Sequence, residues 1–190
     1  LQKALSADVQ TSFNRISVDG DTSTNDMCCV LANGMAGNAE ITAEGEDYAA
    51  FCAALNAVTT ALCRMIARDG EGATKLVECA LTGAKTQAAA DAVSKAVICS
   101  SLVKAAMFGS DANWGRVLCA IGYAGADVDV NKVDVYFRSA AGRVSVCKSG
   151  AGVDFSEDEA KKVLLEDEVT IEVDLNDGNF SSVAWGCDLT

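Results

Sequence analysis

The most regular hydrophobic pattern in the chain runs from Glu46 to Arg68. Its apolar side chains recur at steps of four and three residues, the spacing of one face of an α-helix, at Phe51, Leu55, Val58, Leu62 and Ile66. The pattern stops at Asp69-Gly70, where glycine can adopt the left-handed conformation that closes a helix. It therefore predicts one long helix whose apolar stripe faces a core.

Helical patterns occur in four further parts of the chain. Residues 1–15 carry apolar positions at helical spacing before a polar loop. The alanine-rich stretch Thr86–Phe108 predicts one helix or two short ones, and Asn113–Tyr123 predicts another. Ser156, with Glu159 three residues later, forms a capping box, so a short helix is predicted to begin there.

Short apolar runs and alternating patterns predict the strands. Met27–Ala32 is an apolar run before the turn signal Asn33-Gly34, which predicts a buried strand, and Ala39–Ala43 is a candidate to pair with it. Lys75–Leu81 predicts a further strand.

The last third of the chain alternates between apolar and polar residues in four places: Val133–Phe137, Val144–Val146, Val169–Leu175 and Val183–Cys187. Asp177-Gly178 separates the last two of these runs and predicts a hairpin turn. The order of elements predicts an α+β fold, in which helices cover a largely antiparallel sheet.

Composition narrows the functional classes. The 190 residues carry a net charge of −12, which disfavours binding to nucleic acid or to anionic lipid, since both require a basic surface. The chain contains no histidine, so it cannot itself supply a Ser-His-Asp or Cys-His catalytic group or a histidine zinc ligand.

The nine cysteines and the apolar runs bear on the compartment. The cysteine count is odd, no pair has C-x-x-C spacing, and several cysteines lie in apolar stretches, which predicts reduced, mostly buried thiols in a cytoplasmic protein. The longest uncharged run, Tyr48–Cys63, is too short to span a bilayer, so no membrane partner is expected. Leu1 is not an initiator methionine, which indicates a fragment or a processed product.

Three polar stretches are candidates for chemistry. The loop Asp19–Asp26 alternates acidic and hydroxyl side chains as a calcium loop does, but Thr24 and Val30 stand where such a loop needs glycine and glutamate. We therefore predict no metal site, and a loop whose side chains bond its own backbone. In Gly109–Arg116, Asp111 or Asn113 can cap the next helix, Trp114 can anchor it, and Arg116 can pair with a carboxylate; a pocket or subunit contact is the less favoured interpretation.

The third stretch, Gly70–Lys75, resembles a phosphate loop only faintly, because Thr74 stands where that loop needs glycine. It places Glu71 between two glycines, which let a ligand approach the backbone closely. Glu71 can pair with a substrate ammonium. From spacing alone, a solvated turn glutamate is the commoner alternative.

Together with the end of the chain, these stretches resemble one known family. The segments are S-V-D-G-D-T-S-T-N-D (17–26), R-D-G-E-G-A-T-K (68–75), L-V-K-A-A-M-F-G-S-D-A-N-W-G-R (102–116) and A-W-G-C-D-L-T (184–190). They resemble the bifunctional ornithine acetyltransferase / glutamate N-acetyltransferase (ArgJ) family of arginine biosynthesis. Ala112 departs from the family, which usually has proline there.

The resemblance implies an acyltransferase that moves the acetyl group of N2-acetylornithine to glutamate through a threonyl acetyl-enzyme. In the family, autocatalytic cleavage makes a threonine the first residue of a β chain, and the α-amino group of that threonine can act as base. No cofactor is implied, although some members accept acetyl-CoA as a co-substrate.

The resemblance also implies which groups this chain holds. No catalytic residue is expected in it, because the family's nucleophile lies upstream of Leu1, its oxyanion residues lie in the α chain, and further binding residues follow Thr190. Glu71 alone is carried over, as the group that binds the substrate's amino group. Thr22 and Thr24 are not candidates, because the nucleophile must be the first residue of its chain.

The fold implied is the DmpA/ArgJ-type αββα layered sandwich with a second, smaller α/β portion, divided here into residues 1–84 and 85–190. The assembly implied is a heterotetramer of two α and two β chains, with N-acetylornithine and glutamate as small-molecule substrates. Two alternatives stay open: an N-terminal-nucleophile aminopeptidase or amidohydrolase of related fold, and a non-catalytic assembly fragment.

Overall fold

The computed structural model describes residues 1–189. The helices are α1 (Gln2–Thr11), α2 (Glu46–Arg68), α3 (Gln87–Cys99), α4 (Ser101–Phe108), α5 (Trp114–Gly122) and α6 (Glu157–Leu164), with 3₁₀ turns at Phe13–Arg15 and Val130–Lys132. The strands are β1 (Ile16–Ser17), β2 (Leu76–Ala84), β3 (Asp134–Ser139), β4 (Gly142–Lys148), β5 (Ala151–Gly152), β6 (Glu168–Asp174) and β7 (Phe180–Cys187).

These strands form one seven-stranded sheet in the order β1-β7-β2-β6-β3-β4-β5. The pairs β1–β7 and β2–β6 are parallel, and the remaining four pairs are antiparallel. The prediction of an α+β fold with a largely antiparallel sheet is therefore confirmed. The predicted division at residues 84 and 85 falls at the end of β2 and stays a prediction.

Helices pack on both faces of this sheet. Alternate residues of β2, β3, β6 and β7 form the main core with α3, α4, α5 and α6, and this core includes Val77, Cys79, Val97, Phe137 and Ile171. On the opposite face, Cys63 and Ala67 of α2 pack against Leu76 and Trp185. The alternation read from the sequence thus corresponds to two hydrophobic faces, one large and one small.

The predicted hairpin at Asp177-Gly178 is wrong. Strands β6 and β7 follow each other in the chain, but β2 lies between them, parallel to β6 and antiparallel to β7. Their connection crosses the end of β2, where the backbone N–H of Asp177 donates to the carbonyl of Gly83 at 2.8 Å. A turn signal reports only local backbone preference, whereas this pairing is decided by a strand about a hundred residues earlier in the chain.

Helix α2 has the predicted bounds, but its predicted face is only partly covered, since Phe51 and Leu55 are half-buried. Thr59, Cys63 and Ala67 are buried, while Val58, Leu62 and Ile66 are 58%, 43% and 48% exposed. Small side chains let a helix lie close to a sheet, so the larger apolar residues point outward. With its charged ends included, α2 is also long and apolar enough to cross a bilayer. A single helix of this kind is weak evidence for a membrane span.

The predicted strand at Met27–Ala32 is also absent. The segment has no regular secondary structure, and Met27 and Leu31 are 85% and 91% exposed. Ala39–Ala43, the expected partner, is likewise not a strand. A strand is stabilised by pairing with a neighbouring strand, and neither segment pairs with any strand of the described chain.

Other local predictions are confirmed. Residues 86–108 form two helices, separated at Ser100, whose hydroxyl accepts from the backbone N–H of Val103. Ser156 caps α6 as predicted, by accepting from the backbone N–H of Glu159 at 3.3 Å. All nine cysteines are free thiols, but only Cys63, Cys79, Cys147 and Cys187 are buried, so the expectation of mostly buried thiols is wrong.

Candidate functional site

The four segments that carry the family resemblance meet at one end of the sheet. Ser17 of β1 pairs with Gly186 of β7. The thiol of Cys187 lies beside the carbonyl of Val18 and beside the ammonium of Lys104. Segments that are far apart in the chain are therefore in contact here. Thr190, the last residue of the segment 184–190, lies outside the described residues.

Glu71 lies at the tip of a tight turn in this structure. The backbone N–H of Ala73 donates to the carbonyl of Gly70 at 2.9 Å, and Gly72 has φ +72°, which a side chain would disfavour. Glu71 is exposed, and its carboxylate forms no ion pair within residues 1–189. The turn thus presents a carboxylate to solvent, as both interpretations of Glu71 require.

The turn is packed tightly at its first residue. A Cβ at Gly70 would lie 2.9 Å from Val18 Cγ1 and 3.0 Å from Cys187 Sγ, closer than packed atoms tolerate. Glycine at this position therefore lets α2 end directly against β1 and β7, and it brings the Glu71 turn against the loop that follows β1.

Asp188 holds the other end of the turn. It is 3% exposed, and its Oδ1 accepts from the backbone N–H groups of Thr74 and Lys75 at 2.8 and 2.9 Å. Its Oδ2 accepts from the Thr74 hydroxyl. Sequence analysis did not single out Asp188; the signal available was its place in the segment 184–190.

Lys75 is buried and links three elements. Its Nζ donates to the carbonyls of Met107 and Leu164 at 2.8 and 2.6 Å and to Ser110 Oγ at 2.7 Å. Met107 and Leu164 lie at the ends of α4 and α6, where helix dipoles favour a cation. Burial lowers the pKa of Lys75, and the negative charge of Asp188 partly offsets this effect. The ammonium of Lys75 is thus enclosed by backbone and hydroxyl oxygens of the protein.

The segment 109–116 has a structural role. Asn113 caps α5 by accepting from the backbone N–H of Arg116 at 3.2 Å. Trp114 lies against Gly152 of β5, where an added Cβ would meet the indole at 2.5 Å. Arg116 donates to the carbonyl of Leu102 at 2.9 Å, so the prediction of a carboxylate partner is not met within the described residues.

The loop 19–26 bonds its own backbone, as predicted. Asp19 accepts from the backbone N–H of Asp21 at 2.8 Å, and Ser23 Oγ accepts from that of Asn25 at 3.4 Å. Between Leu1 and Leu189, no three acidic or cysteine side chains are grouped so that they could hold a metal ion.

A cleft of about 1090 Å³ lies between this loop and the body of the protein. Val9 and Phe13 line one side, Ile66 lies near the end of α2, and Lys95 and Cys99 come from α3. Val18 lines the cleft and also packs against Gly70, so cleft and Glu71 turn share a wall. The candidate site is therefore the Glu71 turn together with this cleft.

Lys95 adds a cation to the cleft that sequence analysis missed. Its Nζ donates to the carbonyls of Asn14 and Ile16, and burial lowers its pKa. A smaller cavity of about 340 Å³ lies elsewhere and is lined by Arg64, Glu78 and Glu168. Arg64 forms ion pairs with both Glu78 and Glu168, so its charge is already paired within the protein.

Comparison with known proteins gives consistent matches. The chain matches the family model described as the ArgJ family over residues 1–190. It is 53% identical over its full length to arginine biosynthesis bifunctional protein ArgJ 1 of Clostridium acetobutylicum, and 51% identical to arginine biosynthesis bifunctional protein ArgJ of Caldanaerobacter subterraneus subsp. tengcongensis. In both cases the match covers 47% of the relative, so the chain spans about half the length of the curated relatives it matches.

A solved structure matches equally well. The crystal structure of arginine biosynthesis bifunctional protein argJ from Bacillus halodurans superimposes with a TM-score of 0.94 at 48% identity. The match covers 100% of this chain and 87% of that one. The layered α+β architecture implied by the resemblance is therefore the fold of this chain.

Proposed function

Because the chain belongs to the ArgJ family, we propose that it is part of an acetyltransferase of arginine biosynthesis that moves the acetyl group of N2-acetylornithine to glutamate. The observation that supports this proposal most directly is the meeting of the four resembling segments. Residues 17–26, 68–75, 102–116 and 184–189 surround one buried network, although they are spread over the whole chain.

The proposed reaction is an acyl transfer in two steps. A threonine hydroxyl from the part of the protein before Leu1 attacks the N-acetyl carbonyl, the C–N bond breaks, and ornithine leaves with the proton taken from the hydroxyl. The amine of glutamate then attacks the acetyl ester and releases the threonine. Backbone or hydroxyl donors from the α chain stabilise both tetrahedral intermediates. No cofactor takes part, and acetyl-CoA is an additional donor in this proposal.

This chain's contribution in the proposal is to hold the substrate. Glu71 stands on a turn that is fixed at both ends, and its exposed carboxylate is available to an ammonium group. A carboxylate–ammonium hydrogen bond contributes about 1.5–3 kcal/mol in such a setting. This chain contains no histidine and so supplies no histidine base. In the proposal, the base is the α-amino group of the threonine.

The first test replaces Glu71 in the full-length, self-processed protein. Glu71→Ala should lower kcat/KM for acetyl transfer from N2-acetylornithine to glutamate by about 10- to 100-fold, because one charged hydrogen bond is lost. Self-cleavage should continue, since the carboxylate binds substrate rather than the cleaved bond. Steady-state kinetics and mass spectrometry of the two cleavage products measure these effects.

The matched control is Glu166→Ala, which removes another exposed glutamate from a bend between α6 and β6. It should leave the kinetics unchanged. Unaltered kinetics in Glu71→Ala would remove Glu71 from the site. Release of acetate from N2-acetylornithine with no transfer to glutamate would contradict the proposed reaction and favour the hydrolase alternative.

We propose further that an α chain covers the outward face of α2 in a cytoplasmic heterotetramer of two α and two β chains. Val58, Leu62, Met65 and Ile66 form that face, and they are between 43% and 65% exposed. Apolar residues clustered on one face of a helix typically mark a contact with another protein surface. The curated relatives are about twice as long as this chain, and in the proposal the part that this chain does not match supplies that surface.

A further inference from the structure

The buried side chain of Asp188 is hydrogen-bonded to the two residues that follow the Glu71 turn. We propose that Asp188 is a positioning residue that fixes the Glu71 turn in the conformation that receives the substrate ammonium. The inference rests on the proposed role of Glu71. Asp188 itself is buried, so it acts on substrate only through the turn.

The hydrogen bonds of Asp188 hold one end of the Glu71 turn in place. Its carboxylate accepts three hydrogen bonds, from the backbone N–H groups of Thr74 and Lys75 and from the Thr74 hydroxyl. Thr74 and Lys75 directly follow the turn closed by the Gly70–Ala73 hydrogen bond. The N–H groups of Thr74 and Lys75 precede the regular pairing of β2, and this side chain supplies the acceptor for both of them.

Asp188 is in turn fixed from the other side. Lys104 of α4 donates through Nζ to the carbonyl of Cys187, and its own carbonyl accepts from the N–H of Leu189 at 3.2 Å. The residues on either side of Asp188 are therefore both bonded to one residue of α4. A carboxylate held in this way has little freedom to move, and neither does the turn bonded to it.

The remaining side of the turn is held by packing. Gly70 lies against Val18 and Cys187, and Lys75 is anchored through Nζ to the ends of α4 and α6. Only Glu71 and Gly72, at the tip, have no such restraint. Asp188 provides the only side-chain carboxylate among the described contacts of the turn, so its removal releases one end of the turn without disturbing the other.

The catalytic consequence follows from preorganisation. A binding group that is already in place loses little conformational entropy when substrate arrives, whereas displacement by about 1 Å can cost up to 100-fold in rate. Loss of the Asp188 hydrogen bonds should therefore weaken substrate binding by Glu71. Groups of the site that do not depend on the turn should be unaffected.

A double-mutant cycle in the full-length, self-processed protein tests this. Asp188→Ala should lower kcat/KM for acetyl transfer by about tenfold when Glu71 is present, since the turn is then mobile. In the Glu71→Ala background, Asp188→Ala should cause little further loss, because two residues acting through one contact are not additive. Equal losses in both backgrounds would overturn the proposal.

Hydrogen exchange gives a readout that does not depend on activity. In Asp188→Ala, the amides of Thr74 and Lys75 should exchange faster, while those of the β2 core should not change. Asp188→Asn should largely restore kinetics and protection, because the amide oxygen can still accept from both N–H groups and the amide nitrogen can donate to Thr74 Oγ1. Failure of Asp188→Asn to restore either property would contradict a positioning role.

Asp134→Ala is the matched control, because Asp134 also accepts from a backbone N–H, that of Ser149 at 2.8 Å. It should lower stability without changing kcat/KM.

If Asp188→Ala fails to fold, Thr74→Val is the milder variant, because it removes only the hydroxyl hydrogen bond to Asp188. A smaller loss of kcat/KM is expected in this variant. No loss of kcat/KM in Thr74→Val, together with an unfolded Asp188→Ala, would assign Asp188 to stability alone. An unaffected Glu71→Ala, in contrast, would refute the proposed role of Glu71, on which this inference rests.

Discussion

At the scale of single residues, burial changes the chemistry of several titratable groups. Lys75 is 6% exposed, and its ammonium is satisfied by three oxygen acceptors rather than by a carboxylate in direct contact. Cys63 is fully buried where α2 meets the sheet. Burial, with smaller contributions from Asp8 and Cys28, raises the pKa of the Cys63 thiol to about 11 from 9.0.

The Cys63 thiol predicts a loss of stability at alkaline pH. Since its pKa is higher in the folded state, the stabilisation is complete below pH 9 and is lost as the pH rises from 9 towards 11. The free energy of unfolding should therefore fall across this range by up to about 3 kcal/mol more in the parent than in Cys63→Ala. Urea denaturation at pH 8 and pH 11 under reducing conditions measures the difference.

The comparison should use Cys119→Ala as control, because Cys119 is an exposed cysteine. That variant should retain the pH dependence of the parent. Parallel pH profiles for the parent and Cys63→Ala would show that the thiol does not ionise differently on folding.

At the scale of elements, the boundaries of the helices follow local chemistry, whereas the faces follow packing. Thr86, Ser100, Asn113 and Ser156 each cap a helix through a side-chain oxygen. The sequence left Asp111 and Asn113 as alternative caps for α5, and the structure assigns Asn113. Asp111 accepts from the side-chain amide of Asn113 and so supports the cap from outside.

Replacement of the cap of α5 should have a measurable cost. Asn113→Ala should lower the free energy of unfolding by about 1 kcal/mol, because the N–H of Arg116 loses its side-chain acceptor. Asp111→Ala should cost less, since it touches no amide of the helix. Denaturation midpoints of the two variants distinguish the roles, and a larger loss in Asp111→Ala would reverse the assignment.

At the scale of the whole molecule, two apolar regions lack a covering layer in the described chain. One is the outward face of α2, and the other is the extended segment around Met27, Leu31 and Met35, whose three side chains are between 82% and 91% exposed. The main core, in contrast, is continuous from α3 through α6. Both regions lie within the first 70 residues, where the proposed α chain would bind.

Charge on the outward face of α2 should weaken the proposed assembly. In the full-length protein, Leu62→Lys places an ammonium in the contact, so the two cleavage products should separate on size-exclusion chromatography with light scattering, whereas in the parent they should elute together. The helix itself should persist, because Leu62 is not part of the core.

Leu165→Lys is the control for this experiment, since Leu165 is 59% exposed at the end of α6 and away from α2 in the chain. It should leave the assembly intact. An intact heterotetramer in Leu62→Lys would exclude the face of α2 as the contact.

The candidate site was predictable in part. Glu71 was identified from its two flanking glycines and from the family resemblance, and the structure places it on an exposed turn. Asp188 was not identified, because nothing local distinguishes an aspartate near a strand end. Its hydrogen bonds to Thr74 join residues 114 positions apart, and no periodic pattern reports such a contact.

The sequence by itself determined the helix and most of the strand positions, the helix caps and the family, since these depend on residues close together in the chain or on segments recognised whole. Only the tertiary structure decided which face of α2 is buried, that β2 separates β6 from β7, and that residues 27–43 form no strand. Each of these features depends on which helix and strand surfaces pack together. The free energy of such packing is set by contacts between distant segments rather than by local conformational preference.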